Sequence, residues 1–247
     1  MNLYPARPHL VTRGRGVERT SNCPEHNVLQ TKEKKMKQTK TDITVIMDRS
    51  GSMGVMQEEA IQSFNRFLDS QKEASGKARF SLVQFNHEFS QLCSGIPIEE
   101  ARSLDDENYV PGGMTALLDA LGHTISETKK RVAKKKNWQV VVMVITDGME
   151  NASHEFSGKD IKKLINKCEK KLGWKFIFLA ADPSSFDQHE AYGFNHDRAL
   201  MTGRGPAAYS SAMDLACAKL SRSREDGTAA HLSFSDEERE EAIKHDR

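Results

Sequence analysis

Three short polar segments, far apart in the sequence, could together hold a metal ion. In DRSGSM, Asp48, Ser50 and Ser52 place one carboxylate and two hydroxyls at alternate positions directly after the apolar run ITVIM. Thr115 lies in GGMT, and Asp147 follows the apolar run VVVMVIT in a TDG turn. Hard oxygen ligands of this kind suit Mg²⁺, with Mn²⁺ or Ca²⁺ as alternatives, and disfavour Zn²⁺, which usually takes His or Cys. We therefore predict a metal site built from five oxygen-bearing side chains.

The charges of these groups match a divalent cation. Asp48 and Asp147 together carry two negative charges, enough to neutralise the ion, whereas the three hydroxyls bind without adding charge. The ion would therefore stay electrophilic and could accept a further ligand. No nucleophile and base lie beside these segments in an obvious pairing, so the pattern indicates a binding site and not a catalytic one.

At these positions the chain resembles the von Willebrand factor A-type (VWA) domain, in its small stand-alone bacterial or phage form. The metal-ion-dependent adhesion site (MIDAS) of that family is written DxSxS, then a Thr, then an Asp, and all five positions are filled here. The resemblance spans residues 40–222. It implies that the hydroxyls contact the ion, that the aspartates often act through water, and that an acidic residue of a partner completes the coordination.

The resemblance implies a Mg²⁺-dependent protein-interaction module, an adaptor or subunit of an intracellular assembly and not an enzyme. The expected partner is a protein that presents Asp or Glu, such as an AAA-type ATPase or a stress-response complex. The alternative is a metal-dependent hydrolase, in particular a phosphatase, because an Asp after a first strand also opens some phosphatase sites. Those sites need a second carboxylate in a DxD pattern, and here the second position is Ser50.

Other polar and small residues close to the three segments could tune the site. Asp119 could support the metal loop from behind, or it could only stabilise the dipole of the helix expected after Thr115. Gly112 and Gly113 could let the backbone approach the ion, or could only form a turn. Four further residues are candidates for the rim that meets a partner, although a solvated loop also explains the first three: Glu150, Asn151, His154 and Asp182.

Composition and charge indicate no general affinity for nucleic acid or membrane. The 247 residues include 36 Lys and Arg and 35 Asp and Glu, which gives a formal net charge of +1. Lysine clusters at 129–136 and 162–171 share their predicted helices with apolar stripes and lack interleaved aromatics, so solvated helix faces explain them. No apolar stretch approaches the roughly 18 residues of a membrane span, and the N-terminus lacks the apolar core of a secretory signal. We expect a cytoplasmic protein.

Neither the cysteines nor the histidines form a recognisable motif. The four cysteines lack CxxC spacing, and Cys168 and Cys217 lie on apolar faces of predicted helices, where a buried thiol is expected. The nine histidines are scattered, and none has the i, i+4 spacing beside a Glu that a zinc protease requires. We expect the histidines to lie at the surface and assign them no function.

We expect one central domain at residues 41–222 between two extensions. Residues 1–40 are polar and lack helical or strand periodicity, so we expect disorder there. A second explanation is that translation starts at Met36 and that residues 1–35 are an upstream extension; a basic tethering arm is the alternative. Residues 223–247 are expected to form a charged C-terminal tail, solvated or folded as a short helix.

Strand-like and helix-like segments alternate through the central domain, which predicts a doubly wound α/β fold. The expected sheet is Rossmann-like, six-stranded and mostly parallel, with one antiparallel edge strand and helices on both faces. Its strands are expected at 42–47, 78–86, 87–93, 138–146, 174–181 and 198–201, and its helices at 56–74, after Thr115, and at 157–172, 184–192 and 206–221. Ligands of such sheets bind beyond the carboxyl ends of the strands, where Asp48 and Asp147 both lie.

Overall fold

The computed structural model describes residues 39–135, 137–203 and 205–244. Within them the strands are β1 (Lys40–Asp48), β2 (Lys77–Phe85), β3 (Phe89–Pro97), β4 (Gln139–Thr146), β5 (Lys175–Ala180) and β6 (Ala199–Met201). The α-helices are α1 (Gln57–Glu73), α2 (Leu117–Val132), α3 (Gly158–Leu172), α4 (Pro183–Asp187), α5 (Pro206–Asp226) and α6 (Asp236–Lys244). Short 3₁₀ helices cover Gly51–Met56, Ile98–Glu100, His196–Arg198 and Ala229–Leu232. The expectations for residues 1–38 concern residues outside the described part.

The strands form one sheet in the order β3-β2-β1-β4-β5-β6. All neighbouring pairs are parallel except β2 and β3, which run antiparallel at the edge. The predicted fold class is therefore confirmed, including the antiparallel edge strand. The chain leaves β1 towards one side of the sheet and β4 towards the other, so the topological switch point lies between these two strands. Asp48 ends β1 and Asp147 follows β4, which puts both residues at this point.

Both faces of the sheet are buried, which explains why β4 and β5 are mostly apolar. Alternate residues of β4 enter two separate cores: Val141, Met143 and Ile145 on one face, and Val140, Val142 and Val144 on the other. Phe64 of α1 and Met213 of α5 pack in the first core, and Leu121 of α2 and Ile165 of α3 pack in the second. The strand ends that carry the predicted ligands are therefore fixed by two cores.

Local signals define the helix that follows the TDG turn. Ser157 and Asp160 form a capping box at the start of α3, and Gly173 ends the helix in the left-handed conformation with φ of 71°. These boundaries match the predicted helix at 157–172. No helix among the described residues is both long and apolar enough to cross a membrane.

The C-terminal segment contains a short helix, which was one of the two expected states, but it packs on the domain and is not a free tail. Helix α5 continues to Asp226, and the residues after it pack on the first core, where Leu232, Phe234 and Ala242 are buried. Lys219 Nζ of α5 forms a salt bridge with Glu238 Oε2 of α6 at 2.6 Å, which connects the two helices. The expected domain end at 222 is therefore too early, because three apolar residues among many charges are enough to dock this segment.

A buried ion pair joins the strand that leads to Asp48 with the helix that follows Thr115. Arg131 Nη2 of α2 donates to Asp42 Oδ1 of β1 at 2.7 Å and to Thr44 Oγ1 at 2.9 Å. The Asp42 side chain is fully buried, and that of Arg131 is 11% exposed. Separating the pair would leave a buried charge without a partner, which costs several kcal/mol of free energy of unfolding. The pair therefore holds β1 and α2 in one arrangement.

We predict that Arg131→Met lowers the free energy of unfolding by about 3 kcal/mol or more, because it leaves the Asp42 carboxylate buried without its partner. The control is Lys130→Met on the same helix, which removes only an exposed pair with Glu127 and should leave the stability nearly unchanged. Urea unfolding followed by circular dichroism measures both variants. Equal effects of the two substitutions would contradict the stabilising role of the buried pair.

Candidate metal centre

The segment after β1 brings three of the predicted ligands to the carboxyl edge of the sheet. Asp48 is fully buried, and its Oδ1 accepts a hydrogen bond from Ser50 N at 2.7 Å. The chain then enters the 3₁₀ helix Gly51–Met56, which places Ser50 Oγ and Ser52 Oγ 3.1 Å apart. The alternate spacing of DxSxS therefore puts the two hydroxyls side by side, next to a carboxylate that the strand end holds in place.

The other two predicted ligands come from separate loops and meet the first three. Ser52 Oγ donates to Asp147 Oδ1 at 2.8 Å. The Thr115 hydroxyl lies close to Gly148, and so do the hydroxyls of Ser50 and Ser52. A Cβ atom built on Gly148 would lie 3.0 Å from Thr115 Oγ1, 3.4 Å from Ser52 Oγ and 3.6 Å from Ser50 Oγ. Three hydroxyl oxygens therefore surround the space beside Gly148. The structure brings all five predicted residues together.

Glycines allow the loops that carry Ser50 and Thr115 to contact each other through their backbones. Gly51 N donates to Gly113 O at 3.0 Å, and Gly112 N donates to Arg49 O at 2.9 Å. Gly113 has a φ of 79°, and a Cβ there would clash with the ring of His87, so this position needs glycine. Gly112 has open space instead, because nothing lies within 4 Å of a Cβ built on it.

Two residues expected at the rim hold the Thr115 loop in position. Asn151 Oδ1 accepts a hydrogen bond from Thr115 N at 2.9 Å, and Thr115 O accepts one from Asn151 N at 3.0 Å. Glu150 accepts hydrogen bonds from the backbone N of Leu118 at 3.0 Å and of Ala152 at 3.0 Å. Glu150 and Asn151 therefore connect the segment after β4 to the start of α2, a role that the sequence analysis did not assign.

Asp119 and Asp182 also accept hydrogen bonds from nearby backbone groups. Asp119 accepts from the backbone N of His154, Glu155 and Phe156 at 2.7 to 3.0 Å, so it supports the loop after β4. The residues that Asp119 binds carry none of the predicted ligands, and Asp119 also lies in the first turn of α2, so the choice between its two explanations stays open. Asp182 Oδ1 accepts from Ser184 N at 2.8 Å and caps α4.

Two residues that the sequence analysis missed contact Asp48 directly. Thr146 Oγ1 donates to Asp48 Oδ2 at 2.6 Å, and the buried Tyr109 OH donates to the backbone O of Asp48 at 2.6 Å. Thr146 could have been singled out from the sequence, because it is the polar residue that follows the apolar run of β4. Tyr109 could not be predicted from the sequence, since its contact depends on the fold of the long connection between β3 and α2.

Burial disfavours the ionised form of the Asp48 and Asp147 side chains. It raises the pKa of Asp48 to about 6, although hydrogen bonds from Thr146 and Ser50 act in the opposite direction. Burial likewise raises the pKa of Asp147 above its usual range, with the hydrogen bond from Ser52 opposing it. Among the described residues, neither carboxylate forms an ion pair with Lys or Arg. A divalent cation is the partner that would stabilise two charges in this setting.

A comparison with known families identifies the arrangement. The family model of the von Willebrand factor type A domain matches residues 42–202. This chain belongs to that family. VWA domains are metal-dependent adhesion and protein-interaction domains, and they are generally interaction modules rather than enzymes. The resemblance seen in the sequence is therefore confirmed at the level of the family.

Solved structures of low sequence identity share the VWA fold. A von Willebrand factor type A protein from Catenulispora acidiphila is 15% identical with a TM-score of 0.50, over 78% of this chain and 43% of that one. Proximal thread matrix protein 1 from the mussel byssus, with a zinc-occupied MIDAS motif, is 19% identical with a TM-score of 0.53, over 73% and 48%. The vWF domain of the pili tip protein Mfa5 from Porphyromonas gingivalis is 12% identical with a TM-score of 0.52, over 77% and 97%.

These identities show the fold alone. The chain spans less than half of the length of the first two proteins. No curated protein sequence matches it.

We predict that Gly148→Ala weakens Mg²⁺ binding by about ten-fold or more with the fold retained, because the added methyl group displaces the Thr115 hydroxyl. Gly112→Ala is the control, since its added methyl group meets open space. Titration calorimetry gives the affinity, and circular dichroism reports the fold. Wild-type affinity in Gly148→Ala would show that the position of Thr115 does not matter for the ion.

Proposed function

We propose that this VWA domain binds a divalent cation, Mg²⁺ in the first place, and uses it to bind an acidic residue of a protein partner. The proposed ligands are Asp48, Ser50, Ser52, Thr115 and Asp147. The observation that carries the proposal is the convergence of three hydroxyls and Asp147 on the space beside Gly148, next to the buried Asp48. When bound, the ion would supply a Lewis-acidic position for a carboxylate oxygen of the partner.

The donor atoms support the choice of Mg²⁺. All five side chains offer oxygen, and hard oxygen donors suit Mg²⁺, Mn²⁺ and Ca²⁺, whereas Zn²⁺ usually takes nitrogen or sulfur. The mussel protein holds zinc in its MIDAS motif, so Zn²⁺ belongs among the ions to be compared. Two carboxylates neutralise the charge of the ion, and the hydroxyls leave its electrophilic character intact.

Exposed apolar side chains on the same loops support a protein as the partner. Val55 is 84% exposed, Val110 and Met114 are each 55% exposed, and Met149 is 46% exposed. We name these four residues the apolar rim. Val55 follows Ser52 by three residues, Met114 directly precedes Thr115, and Met149 follows Asp147 by two. A partner whose acid reaches the ion could cover the apolar rim with its own apolar surface, as in the core of a protein interface.

The proposed role in the cell is that of an adaptor or subunit of an assembly. An AAA-type ATPase or a stress-response complex is the partner class that the family resemblance suggests. The hydrolase alternative would need a second carboxylate at position 50, where the Ser50 hydroxyl lies against Ser52. Hydrolysis of p-nitrophenyl phosphate that requires Mg²⁺ and disappears in Asp48→Asn would support that alternative.

We predict that metal-free protein binds one Mg²⁺ or Mn²⁺ in calorimetric titration, and that Asp48→Asn weakens binding by about 100-fold or more. Asn keeps the shape of Asp48 and can still accept the hydrogen bond from Ser50 N. Besides removing the charge, it places an NH₂ donor where Asp48 Oδ2 accepts from Thr146 Oγ1, so the Thr146 hydroxyl must turn to accept. The double variant Ser50→Ala, Ser52→Ala should lose binding as well.

The control for this titration is Asp69→Asn, which changes an exposed carboxylate of α1. Acetate is included in a parallel titration, because a free carboxylate can stand in for the partner's acid. If folded wild-type protein binds neither ion, with or without acetate, the proposed metal site is wrong.

We predict that the apolar rim contributes to partner binding but not to metal binding. Immobilised wild-type protein should retain its partner in Mg²⁺ and release it in EDTA. The double variant Val55→Ser, Met114→Ser should keep the wild-type affinity for Mg²⁺ and bind the captured partner about ten-fold more weakly or worse, because it removes apolar contact area. Leu172→Ser, an exposed apolar residue at the end of α3, is the control. Unchanged partner affinity in the rim variant would contradict this docking surface.

A further inference from the structure

A second group of metal-ligating side chains lies in the segment after α4 and shares no residue with the MIDAS. The ligand atoms of His189, Glu190 and His196 all lie within 4.8 Å of one another. We propose that these three residues form a separate site for a borderline divalent transition metal, Zn²⁺ in the first place. Two imidazoles and one carboxylate are the ligands of zinc sites that keep a fourth position open.

His189 is held in the state that a metal-ligating histidine requires. Its Nδ1 contacts the backbone O of Phe186, which can only accept a hydrogen bond, so Nδ1 carries a proton. In the neutral ring, Nε2 then carries a free lone pair. His189 is buried at 4% exposure, and its ring packs against those of Phe178 and Phe186. Donation from the other ring nitrogen to a backbone carbonyl is the usual support of a metal-bound histidine.

The spacing of the ligand atoms fits a shared ion. His189 Nε2 and His196 Nδ1 are 3.3 Å apart. Two nitrogen atoms bound to one tetrahedral zinc at 2.0–2.1 Å lie about 3.3 Å from each other. Glu190 Oε1 is 3.9 Å from His196 Nδ1, and this side chain is exposed, so a small rotation can bring it to the ion. The geometry therefore needs only a local adjustment at one flexible ligand.

Backbone contacts already fold this segment so that its two ends meet. Phe194 N donates to His189 O at 3.0 Å, which closes the chain between the two histidines. Gly193 has a φ of 93° and packs against Lys162 of α3, where a Cβ would lie 3.1 Å from Lys162 Cα. Asn195 caps the 3₁₀ helix that begins at His196. Little ordering entropy is therefore lost when an ion binds.

A direct hydrogen bond from His196 Nδ1 to His189 Nε2 is the competing explanation of the 3.3 Å distance. In that arrangement His196 presents a proton to His189, and the pair only stabilises the loop. The two explanations differ in the response to Zn²⁺. Because Zn²⁺ could also enter the MIDAS, the experiment must separate the two sites.

The test is titration of Zn²⁺ into the full chain with the Asp48→Asn substitution, which weakens the MIDAS. One Zn²⁺ should bind per chain, and Co²⁺ should give the strong visible absorption of a tetrahedral ion. His196→Gln in the same background should weaken binding about 100-fold or more, and Glu190→Gln about ten-fold. His123→Gln is the matched control, because His123 forms a similar exposed pair with Glu155 at 3.2 Å and should leave Zn²⁺ affinity unchanged.

Thermal unfolding gives a second readout, since an ion that binds only the folded chain raises the melting temperature. Zn²⁺ should raise it in the Asp48→Asn background and not after the addition of His196→Gln. Equal Zn²⁺ affinity with and without His196→Gln would overturn the proposal. Loss of all Zn²⁺ binding in Asp48→Asn would also overturn it, because the ion would then belong to the MIDAS. If Asp48→Asn does not fold, the Ser50→Ala, Ser52→Ala double variant takes its place as the background.

Discussion

The parallel pairing of β1 with β4 is the contact on which the rest of the structure depends. Met47 is in register with Ile145, so Asp48 and Asp147 leave the sheet at the same edge. Alternate residues of both strands enter two different cores, and a slip of one position would exchange the two sets. The separation of the two carboxylates is thus fixed by the register of the sheet. Thr146 Oγ1 adds a direct bond across the two strands to Asp48 Oδ2.

The positions of the Ser50, Ser52 and Thr115 hydroxyls depend on a different kind of constraint, the contacts among three loops. Gly51 and Gly113 join the first two loops, and the reciprocal bonds between Thr115 and Asn151 join the second to the third. Apart from the Asn151 side-chain oxygen, these contacts are made by backbone groups, and none of them requires an ion. Meanwhile burial raises the pKa of both Asp48 and Asp147, which shows that the carboxylate charges are destabilised in this setting. Among the described residues, neither carboxylate has a Lys or Arg partner, and this favours the proposal that a cation binds there.

The sequence predicted the elements whose signals are local. Burial on both faces makes β4 an unbroken apolar run, and Ser157 and Gly173 define the ends of α3. Leu232 and Phe234 were not predicted to be buried, because they lie among polar residues without helical periodicity and are buried by packing on the first core. The five candidate ligands were found through their spacing and residue types. Tyr109, Glu150 and Asn151 were missed, since their contacts arise from loops that fold against each other. His189 was wrongly expected at the surface for the same reason.

The two proposed sites differ in ligand chemistry, and this difference would let the chain bind two kinds of ion at separate places. Imidazole nitrogen favours Zn²⁺ over Mg²⁺. A set of oxygen donors discriminates less between the two ions, so the ion that it binds depends mainly on their concentrations. Mg²⁺ binds imidazole weakly, so its affinity for the segment between His189 and His196 should be low. By the same rule, Zn²⁺ would prefer that segment to the hydroxyls of Ser50, Ser52 and Thr115. A nitrogen site on the same chain would therefore fill with Zn²⁺ at free concentrations too low to occupy the MIDAS, whose oxygen ligands would then be left to Mg²⁺.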